Sequence, residues 1–217
     1  MRYTCLDMKT YKRKDHFAYF SGLAYPYVGV TNHVDITNLL GKIKAERLPF
    51  FLTVCYCVSK AANGVAEFRQ RIWEQQIFEF ESCRTSHTVA LEDGTYCYCT
   101  LGSDLPFQEY IPYAVREQEK ARQNPSISED EREVLDKIFI STLPWLSYTS
   151  LIQPVPMPAD SHPRITWGKY FVQEGRTLLP VSVLCHHALV DGIHIAAFYE
   201  KLEEEIRAIA SPISRSV

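Results

Sequence analysis

The sequence predicts an α/β (α+β) fold, a two-layer sandwich in which a mixed β-sheet is covered by helices. Apolar residues recur at helical spacing over residues 51–65. Residues 177–185 are almost continuously apolar, which is typical of a strand buried on both faces. A last helix carries its apolar side chains on one face over residues 195–209. These three patterns combine helices that can each bury one face with a strand at the centre of a sheet.

The other predicted elements follow from turn signals and apolar spacing. Residues 87–91 and 95–99 flank Glu92-Asp93-Gly94, and an Asp-Gly pair supplies the positive backbone dihedrals of a tight hairpin turn. The remaining predictions are a helix from Ile36 to about Lys44, a strand over residues 77–80, a helix over residues 109–123, a helix opened by a capping box of Ser128 and Glu131 and running towards Ile138, and a strand over residues 165–172.

Composition excludes several classes of protein. A length of 217 residues without a Gly/Ser/Pro-rich linker favours one domain over residues 1–217. The net charge of −3 argues against a nucleic-acid partner, because such binders usually carry a basic face. We expect no membrane span and a cytoplasmic protein, since neither a signal peptide nor about 20 consecutive apolar residues is present. The seven cysteines include no C-x-x-C pair and are expected to be reduced core thiols.

The candidate catalytic feature is the run His186-His187-Ala188-Leu189-Val190-Asp191-Gly192, which follows the last predicted strand. Adjacent strand residues point to opposite faces, so only one of the two histidines can serve a given pocket. An imidazole can act as the base that takes a hydroxyl proton during acyl transfer from a thioester, a reaction that requires neither a protein nucleophile nor a metal. Asp191 could stiffen the turn by pairing with a buried cation, and Gly192 is expected to permit a tight turn.

Other interpretations of this run stay open at this point. A histidine at a strand end is commonly a structural residue, and Asp-Gly is an ordinary turn signal. His186, His187, Asp191 and His194 could also be considered as metal ligands. Adjacent histidines make a poor shared site and H-E-x-x-H is absent, so we expect no metal.

Six further segments match a known family in order and in approximate spacing. They are YKRKDHF at residues 11–17, VDIT at 34–37, EFR at 67–69, STLPW at 141–145, ITWGKY at 165–170 and LPVSV at 179–183. The run at 186–192 fits H-H-x-x-x-D-G, which resembles the signature of the CoA- and carrier-thioester acyltransferases. Together these segments make nearly the whole chain resemble the classical chloramphenicol acetyltransferases.

The resemblance implies a role for each matching residue. His187 matches the catalytic base that takes the acceptor hydroxyl proton. Asp191 and Arg13 match a buried ion pair that holds the site, and breaking one half of such a pair typically costs about 3–5 kcal/mol. Ser141 matches the hydroxyl that donates to the tetrahedral oxyanion, and Thr166 matches a residue that helps to hold an ordered water.

The substrate sides of the site are also implied by the resemblance. Trp145, Lys169 and Tyr170 lie in segments that line the CoA side in this family. Phe20 matches an aromatic position of the acceptor pocket. A second aromatic position is expected to be occupied by Val28, or by Tyr27 if that ring moves into the role.

Two departures from the family pattern affect the substrates. The loop at residues 125–130 lacks the pocket phenylalanine of the family, which leaves open an acceptor alcohol other than chloramphenicol. Pro49 stands where a lysine is expected before Phe50, so one contact to a CoA phosphate is predicted to be missing. Loss of that contact leaves the CoA phosphates to other cations.

The resemblance implies a homotrimer in which each active site lies between two protomers. His187 of one protomer is expected to face the Ser141 side of its neighbour, with acetyl-CoA as cosubstrate and no permanently bound cofactor. The expected acceptor is a small-molecule alcohol, with chloramphenicol as the leading candidate. Two alternatives remain: the acyltransferase core of a 2-oxo-acid dehydrogenase, which takes a lipoyl acceptor, and a binding protein of the same fold without activity.

Overall fold

A computed structural model describes residues 2–128 and 131–211 of the chain. Its helices include three long ones, and α3 and α6 begin close to the predicted apolar stripes. The strands are β1 Tyr3–Cys5, β2 Tyr27–Asp35, β3 Gln70–Trp73, β4 Gln76–Phe80, β5 Arg84–Ala90, β6 Tyr96–Leu101, β7 Lys137–Leu143, β8 Arg164–Gly168, β9 Phe171–Gln173 and β10 Arg176–His186. The helices are α1 Lys14–Ser21, α2 Thr37–Glu46, α3 Phe50–Asn63, α4 Phe107–Gln123, α5 Glu131–Val134 and α6 Gly192–Ala210, with a 3₁₀ turn at Ala66–Arg69.

The main sheet is mixed and has seven strands. Six follow the order β2-β10-β8-β7-β5-β6, and β9 pairs with the beginning of β10. The pairs β5–β7 and β7–β8 are parallel, whereas β10 pairs antiparallel with both β2 and β8. A separate antiparallel sheet has the order β1-β4-β3. The predicted mixed sheet with covering helices is therefore confirmed, with β10 as an internal strand next to the edge strand β2.

One face of the main sheet packs against helices. Alternate residues of β10, among them Val181, Val183 and Cys185, are buried in the main core with residues of α3 and α6. Burying such aliphatic side chains contributes about 1.5–3 kcal/mol each. The fully buried Trp167 of β8 packs against Phe51 of α3, with ring centroids 5.3 Å apart. The period-2 alternation of β10 therefore sends odd-numbered side chains into this core and even-numbered ones to the other face.

The other face is partly covered by residues 144–163, a long segment with turns but no helix or strand. Tyr148 donates a hydrogen bond from its hydroxyl to the carbonyl oxygen of Thr166 at 3.0 Å. The side chain of Ile152 in this segment is 95% exposed. On this face, buried residues of the sheet are thus covered by a segment that exposes an apolar side chain to solvent.

Two predicted elements differ from the structure. The helix expected to run towards Ile138 ends at Val134, and strand β7 begins at Lys137; the capping box involves the Glu131 side chain, which lies outside the described residues. The strand predicted over residues 165–172 is interrupted between β8 and β9, where the backbone N–H of Lys169 donates to Leu146 instead of to a strand neighbour. The predicted hairpin is confirmed by the antiparallel pairing of β5 with β6. In its turn only Gly94 has a positive φ, of 83°, and a Leu91–Thr95 backbone hydrogen bond closes the loop.

The described residues contain no helix that is both long and apolar enough to cross a membrane. All seven cysteines are free thiols, and six of them are buried. The expectation of reduced core thiols therefore fits every cysteine except Cys5, which is exposed at the edge of the small sheet.

Candidate active site

His187 begins the turn between β10 and α6, one residue after the strand ends at His186. Its backbone N–H donates to the carbonyl oxygen of Pro26 at 2.7 Å. Its side-chain Nδ1 lies 2.9 Å from the carbonyl oxygen of Val190. Because a carbonyl only accepts, Nδ1 carries the proton and Nε2 keeps the lone pair. The turn thus fixes the imidazole in the tautomer that a general base requires.

Phe20, from the end of α1, stacks on the imidazole of His187 with centroids 3.9 Å apart and an angle of 28° between the planes. Both side chains are half-buried. Phe20 was predicted to line the acceptor pocket, and the structure places it directly beside the candidate base. The stacked ring limits rotation of the imidazole and leaves its edge as the reactive side.

Arg13 and Asp191 meet as predicted, with Nη1 of Arg13 3.0 Å from Oδ2 of Asp191. Arg13 Nη2 also donates to the carbonyl oxygen of His187 at 3.4 Å. The hydrogen bond from Arg13 and the bond from the Gly192 N–H lower the pKa of Asp191. In a single protomer the pair is only partly buried, with side-chain exposure of 18% for Arg13 and 42% for Asp191 at the helix start. Water screens a pair of this kind, and exposed pairs contribute only about 0–1 kcal/mol.

Asp191 also caps helix α6, a role that the sequence analysis did not assign. Its Oδ1 accepts from the N–H of Gly192 at 2.6 Å, while Nδ1 of His194 accepts from the backbone N–H of Asp191 at 2.9 Å. This reciprocal capping box satisfies donors that a helix start would leave unpaired. Gly192 has no positive φ, and a Cβ there would meet nothing within 4 Å. The expectation that Gly192 enables the turn is therefore wrong.

Ser141 lies on β7 rather than in a loop, and its neighbour in β8 is Thr166. The row continues from Thr166 to Ser182 of β10 and from Ser182 to Thr31 of β2. The hydroxyls of Ser182 and Thr31 are 2.6 Å apart. Four strands therefore place a row of hydroxyl side chains on the face away from the helices. Thr166 is buried, and its hydroxyl donates to Oε1 of Gln153 at 3.3 Å.

A cavity of about 430 Å³ opens over Ser141 and Thr166. Phe139 and Arg164 continue its floor on the same face of β7 and β8. The segment 144–163 contributes the roof of the cavity, namely Leu151, Ile152, Gln153 and Pro154. A cavity of this size suits a drug-sized molecule.

The two halves of the predicted site do not meet within one chain. Ser141 lies two strands from Ser182, which is about 10 Å at the usual strand spacing. His187 lies five residues after Ser182, just beyond the end of β10, and the strand rises by about 17 Å over that distance. The His187 and Ser141 side chains are therefore much too far apart in a single protomer to hold one reacting group.

Residues predicted to face CoA lie near the break between β8 and β9. Tyr170 is half-exposed and packs against Phe50, with centroids 5.6 Å apart. Lys169 is exposed, and Trp145 is 77% exposed. Pro49 precedes Phe50 and is the N-cap residue of α3, where its lack of an N–H costs no helical hydrogen bond. Exposed aromatic and basic side chains thus cluster at this edge.

Tyr27 and Val28 project to opposite faces of β2. Tyr27 pairs with His186 on the face that carries Ser182, and its ring packs edge-on to His186 at 5.7 Å. Val28 pairs with Cys185 and packs against the main core. Val28 therefore contacts the helical side rather than the open face.

The hydroxyl of Tyr27 donates to the carbonyl oxygen of Asp160 at 3.0 Å. Burial, and then the negative charge of Asp160, raise the pKa of Tyr27 to about 12.

Some residues that shape the site were missed by sequence reasoning. The carbonyls of Pro26 and Val190 hold His187, but any residue provides a carbonyl, so no side-chain signal marks them. Gln153 contacts Thr166 from an irregular segment, and no periodicity predicts that contact. His186 is buried and packs against the ring of Tyr27, and burial lowers its pKa to about 4. Within the described residues, no group of three or more metal-binding side chains is assembled.

The chain is similar to proteins of one family along most of its length. The family model described as chloramphenicol acetyltransferase matches residues 1–203. Chloramphenicol acetyltransferase 3 of Escherichia coli is 27% identical over 208 residues, covering 94% of this chain and 97% of the relative. A solved chloramphenicol acetyltransferase has the same fold, with a TM-score of 0.82 at 24% identity over 94% of this chain and all of that one.

The cubic core of a pyruvate dehydrogenase complex is a more distant neighbour in fold. Its TM-score is 0.65 at 20% identity, with 91% of this chain and 89% of that one covered. This likeness concerns the fold alone, whereas the family match spans almost every residue that forms the sheet, the His187 turn and the Ser141 row. The chain therefore belongs to the chloramphenicol acetyltransferase family.

Proposed function

We propose that this protein, as one domain over residues 1–217, transfers the acetyl group of acetyl-CoA to a hydroxyl of chloramphenicol, with His187 as general base. One observation carries the proposal: the Val190 carbonyl holds Nδ1 of His187 and leaves Nε2 with its lone pair. The relatives described above are named for this acetylation. Acetyl-CoA is a cytoplasmic metabolite, and the enzyme works in that compartment.

The reaction needs one proton to move twice. Nε2 of His187 takes the proton of the acceptor hydroxyl while its oxygen bonds to the thioester carbonyl carbon. The resulting oxyanion accepts a hydrogen bond from the Ser141 hydroxyl, which acts where negative charge develops. Collapse of the tetrahedral intermediate breaks the carbon–sulfur bond. The departing CoA thiolate accepts this proton from Nε2 and leaves as the free thiol. The enzyme is thus regenerated without a covalent intermediate.

The site is completed between protomers of a homotrimer. The separation of His187 from Ser141 within one chain supports this assembly, because the reaction needs both groups at one carbonyl. The open face also exposes apolar side chains, among them Tyr25 (55%), Ile152 (95%) and Met157 (85%). Exposed apolar groups gathered on one face favour an interface with another chain. A cyclic trimer would then contain three equal sites.

The two substrates enter from different sides. The cavity over Ser141 and Thr166 receives the acceptor, and its volume of about 430 Å³ suits a molecule of the size of chloramphenicol. Trp145, Lys169 and Tyr170 receive acetyl-CoA at the exposed edge near the end of β8. The aromatic rings can contact the adenine and pantetheine portions, while Lys169 supplies a charge for phosphate.

The direct test is release of free CoA thiol from acetyl-CoA when chloramphenicol is added to the purified protein. We expect release that depends on both substrates, together with one acetylated product by mass spectrometry. A panel of other alcohols tests the acceptor, and the dithiol dihydrolipoamide is tested by mass spectrometry of the acetylated product, because its own thiols would be counted in the thiol assay. Release with another alcohol but not with chloramphenicol would change the substrate only. No release with any acceptor would contradict the enzymatic function.

A further inference from the structure

A buried polar cluster lies beside the proposed acceptor cavity and has no part in the proton transfers. Asp160 accepts two hydrogen bonds from Arg164, from Nη1 to Oδ1 and from Nη2 to Oδ2, each at 2.7 Å. The hydroxyl of Tyr27 lies 3.0 Å from the carbonyl oxygen and 3.3 Å from Oδ1 of Asp160. Nδ1 of His162 is 3.4 Å from Oδ2. Asp160 thus gathers side chains from two places in the chain, the beginning of β2 and residues 162–164.

The cluster is costly to bury and so requires an explanation. Side-chain exposure is 11% for Arg164, 23% for Asp160 and 8% for His162. Burial opposes ionisation of Asp160, but the two hydrogen bonds from Arg164 outweigh it and hold the pKa of Asp160 below its usual value. Burial lowers the pKa of His162. A buried ion pair often adds little stability over an apolar replacement, so its contribution has to be sought in geometry.

The cluster holds the far end of the cavity roof. Near its start the roof segment is fixed where the Lys169 N–H donates to Leu146 at 2.7 Å and where Tyr148 donates to Thr166. Asp160 lies near the end of the same segment, past the proline-rich stretch. Its partner Arg164 is two residues before Thr166 and lines the same cavity. The Asp160–Arg164 pair therefore joins the roof to the floor strand.

The same cluster reaches the His187 turn through Tyr27. Pro26, the preceding residue, accepts the backbone N–H of His187 at 2.7 Å. The Tyr27 ring also packs against His186. A single group of contacts thus connects the roof of the cavity, the strand that carries Thr166 and the backbone that positions the base.

We propose that Asp160, Arg164 and Tyr27 are positioning residues that hold the cavity roof over Ser141 and Thr166 and thereby set the affinity for the acceptor. The inference rests on the proposed function, in that the cavity is taken as the acceptor site. These residues do not act on the reacting atoms. Releasing the roof therefore weakens acceptor binding and leaves the binding of acetyl-CoA unchanged.

A second ion pair in the chain provides a matched control. Arg84 and Asp136 form the same two-bond arrangement, with distances of 2.7 Å from Nε and from Nη2. This pair joins the beginning of β5 to the residue before β7 and does not line the cavity. The doubly substituted protein Asp160→Asn/Arg164→Met is therefore compared with Asp136→Asn/Arg84→Met. Both replacements remove one ion pair without leaving a lone charge.

The experiment measures steady-state kinetics of the full-length protein with chloramphenicol and acetyl-CoA. For Asp160→Asn/Arg164→Met we expect the KM of chloramphenicol to rise about tenfold, since small displacements of positioning groups have large effects. The KM of acetyl-CoA and kcat should stay within about twofold of the wild type, because Tyr27 keeps its hydrogen bond to the Asp160 backbone carbonyl and so the turn that holds the base is unchanged. The Arg84 control should change thermal stability but neither KM. An unchanged KM of chloramphenicol in the first protein would overturn the proposal.

Two further measurements keep the test decisive. Amide hydrogen exchange in the peptide spanning residues 149–159 should be faster in Asp160→Asn/Arg164→Met and unchanged in the Arg84 control. This readout needs no turnover, so it tests the positioning role even if chloramphenicol is not acetylated, and equal exchange would refute it. If the double replacement does not fold, Tyr27→Phe replaces it, with a smaller rise in the same KM expected. Arg164→Lys keeps the charge but loses the two-bond geometry. Its KM for chloramphenicol should therefore lie between that of the wild type and that of Asp160→Asn/Arg164→Met.

Discussion

The turn that carries His187 and the sheet face that carries Ser141 differ in how complete they are within one chain. At the turn, the imidazole has its hydrogen bond to Val190 and its stacking partner Phe20 in place, and Arg13 contacts both Asp191 and the His187 carbonyl. On the sheet face, the cavity over Ser141 is open and its roof exposes Ile152. The candidate base is therefore held by contacts within one chain, whereas the cavity over Ser141 remains open to solvent.

This difference follows from how the two regions are built. The contacts of His187 come from the same tight turn and from strand and helix ends that pack against the main core. The Ser141 row stands on a wide sheet whose second face has only an irregular segment to cover it. A face that is half-covered in one chain is suited to receive a second one. The proposed site thus combines the His187 turn of one protomer, whose contacts are complete, with the half-covered Ser141 face of another.

The largest predicted effect is on kcat, and it comes from substituting His187 or Ser141 and then combining the two variants in one assembly. His187→Ala should lower kcat about 10²–10⁴-fold, the range for losing a general base. Ser141→Ala should lower it about 10²–10³-fold, as for other oxyanion donors. Co-assembly of the two inactive proteins in equal amounts should restore about a quarter of wild-type activity, because a random cyclic trimer pairs an intact His187 with an intact neighbouring Ser141 at one site in four.

The control for this experiment is co-assembly of two differently tagged copies that both carry His187→Ala. These should stay inactive, and circular dichroism should be unchanged for each protein. If mixed trimers of His187→Ala and Ser141→Ala gain no activity although both tags are recovered together, the two groups do not act across an interface. The open face would then need another explanation.

An effect of intermediate size is predicted for the pH dependence of stability, since each region contains a buried histidine with a strongly lowered pKa. On the turn side His186, and on the cavity side His87, have pKa values lowered by burial to about 4. Gln118 also donates to Nε2 of His87 at 2.9 Å, which requires the unprotonated nitrogen. The unfolded state takes up protons below about pH 6.5, while these folded groups do not until about pH 4. Stability should therefore fall as pH decreases through this window and be unaffected above it.

Each histidine accounts for up to about 3 kcal/mol between those pH values, at about 1.4 kcal/mol per pH unit. Urea unfolding at pH 7.5 and pH 4.5 should show a smaller acid loss for His87→Gln than for the wild type. His186→Gln is the matched substitution in the turn region. His33→Gln, at an exposed position, is the control and should leave the loss unchanged. An equal loss in His87→Gln would mean that His87 is not kept neutral by the fold.

The smallest effect is predicted for Arg13, because its partner Asp191 is partly exposed. Arg13→Met should lower the free energy of unfolding by about 1 kcal/mol rather than the larger cost of a buried pair. The change in kcat should be less than about tenfold, since Arg13 reaches the base only through the His187 backbone. Urea unfolding and thiol-release kinetics measure the two quantities, with Lys12→Met as the neighbouring exposed cation for comparison. A loss of about 3–5 kcal/mol would indicate that assembly buries the pair.

Much of the fold could be predicted because it follows from local patterns. The apolar stripe of α3, the continuous run of β10 and the amphipathic face of α6 each depend on the spacing of neighbouring residues. The failure at residues 131–138 has a physical cause: a candidate cap indicated a helix, while Ile138 and Ile140 were needed in the core as alternate residues of β7. Pairing with β5 and β8 decided that segment over its local signal.

The sequence by itself determined the H-H-x-x-x-D-G run, the strand before it and the helix after it, because these depend on residues close together in the chain. It also paired Arg13 with Asp191, through the family resemblance. Only the tertiary structure decided that Nδ1 of His187 is bound to Val190, that Val28 faces the core, and that Ser141 shares a row with Thr166 far from His187. Those outcomes depend on strand register and on backbone carbonyls, which carry no side-chain signal in a sequence.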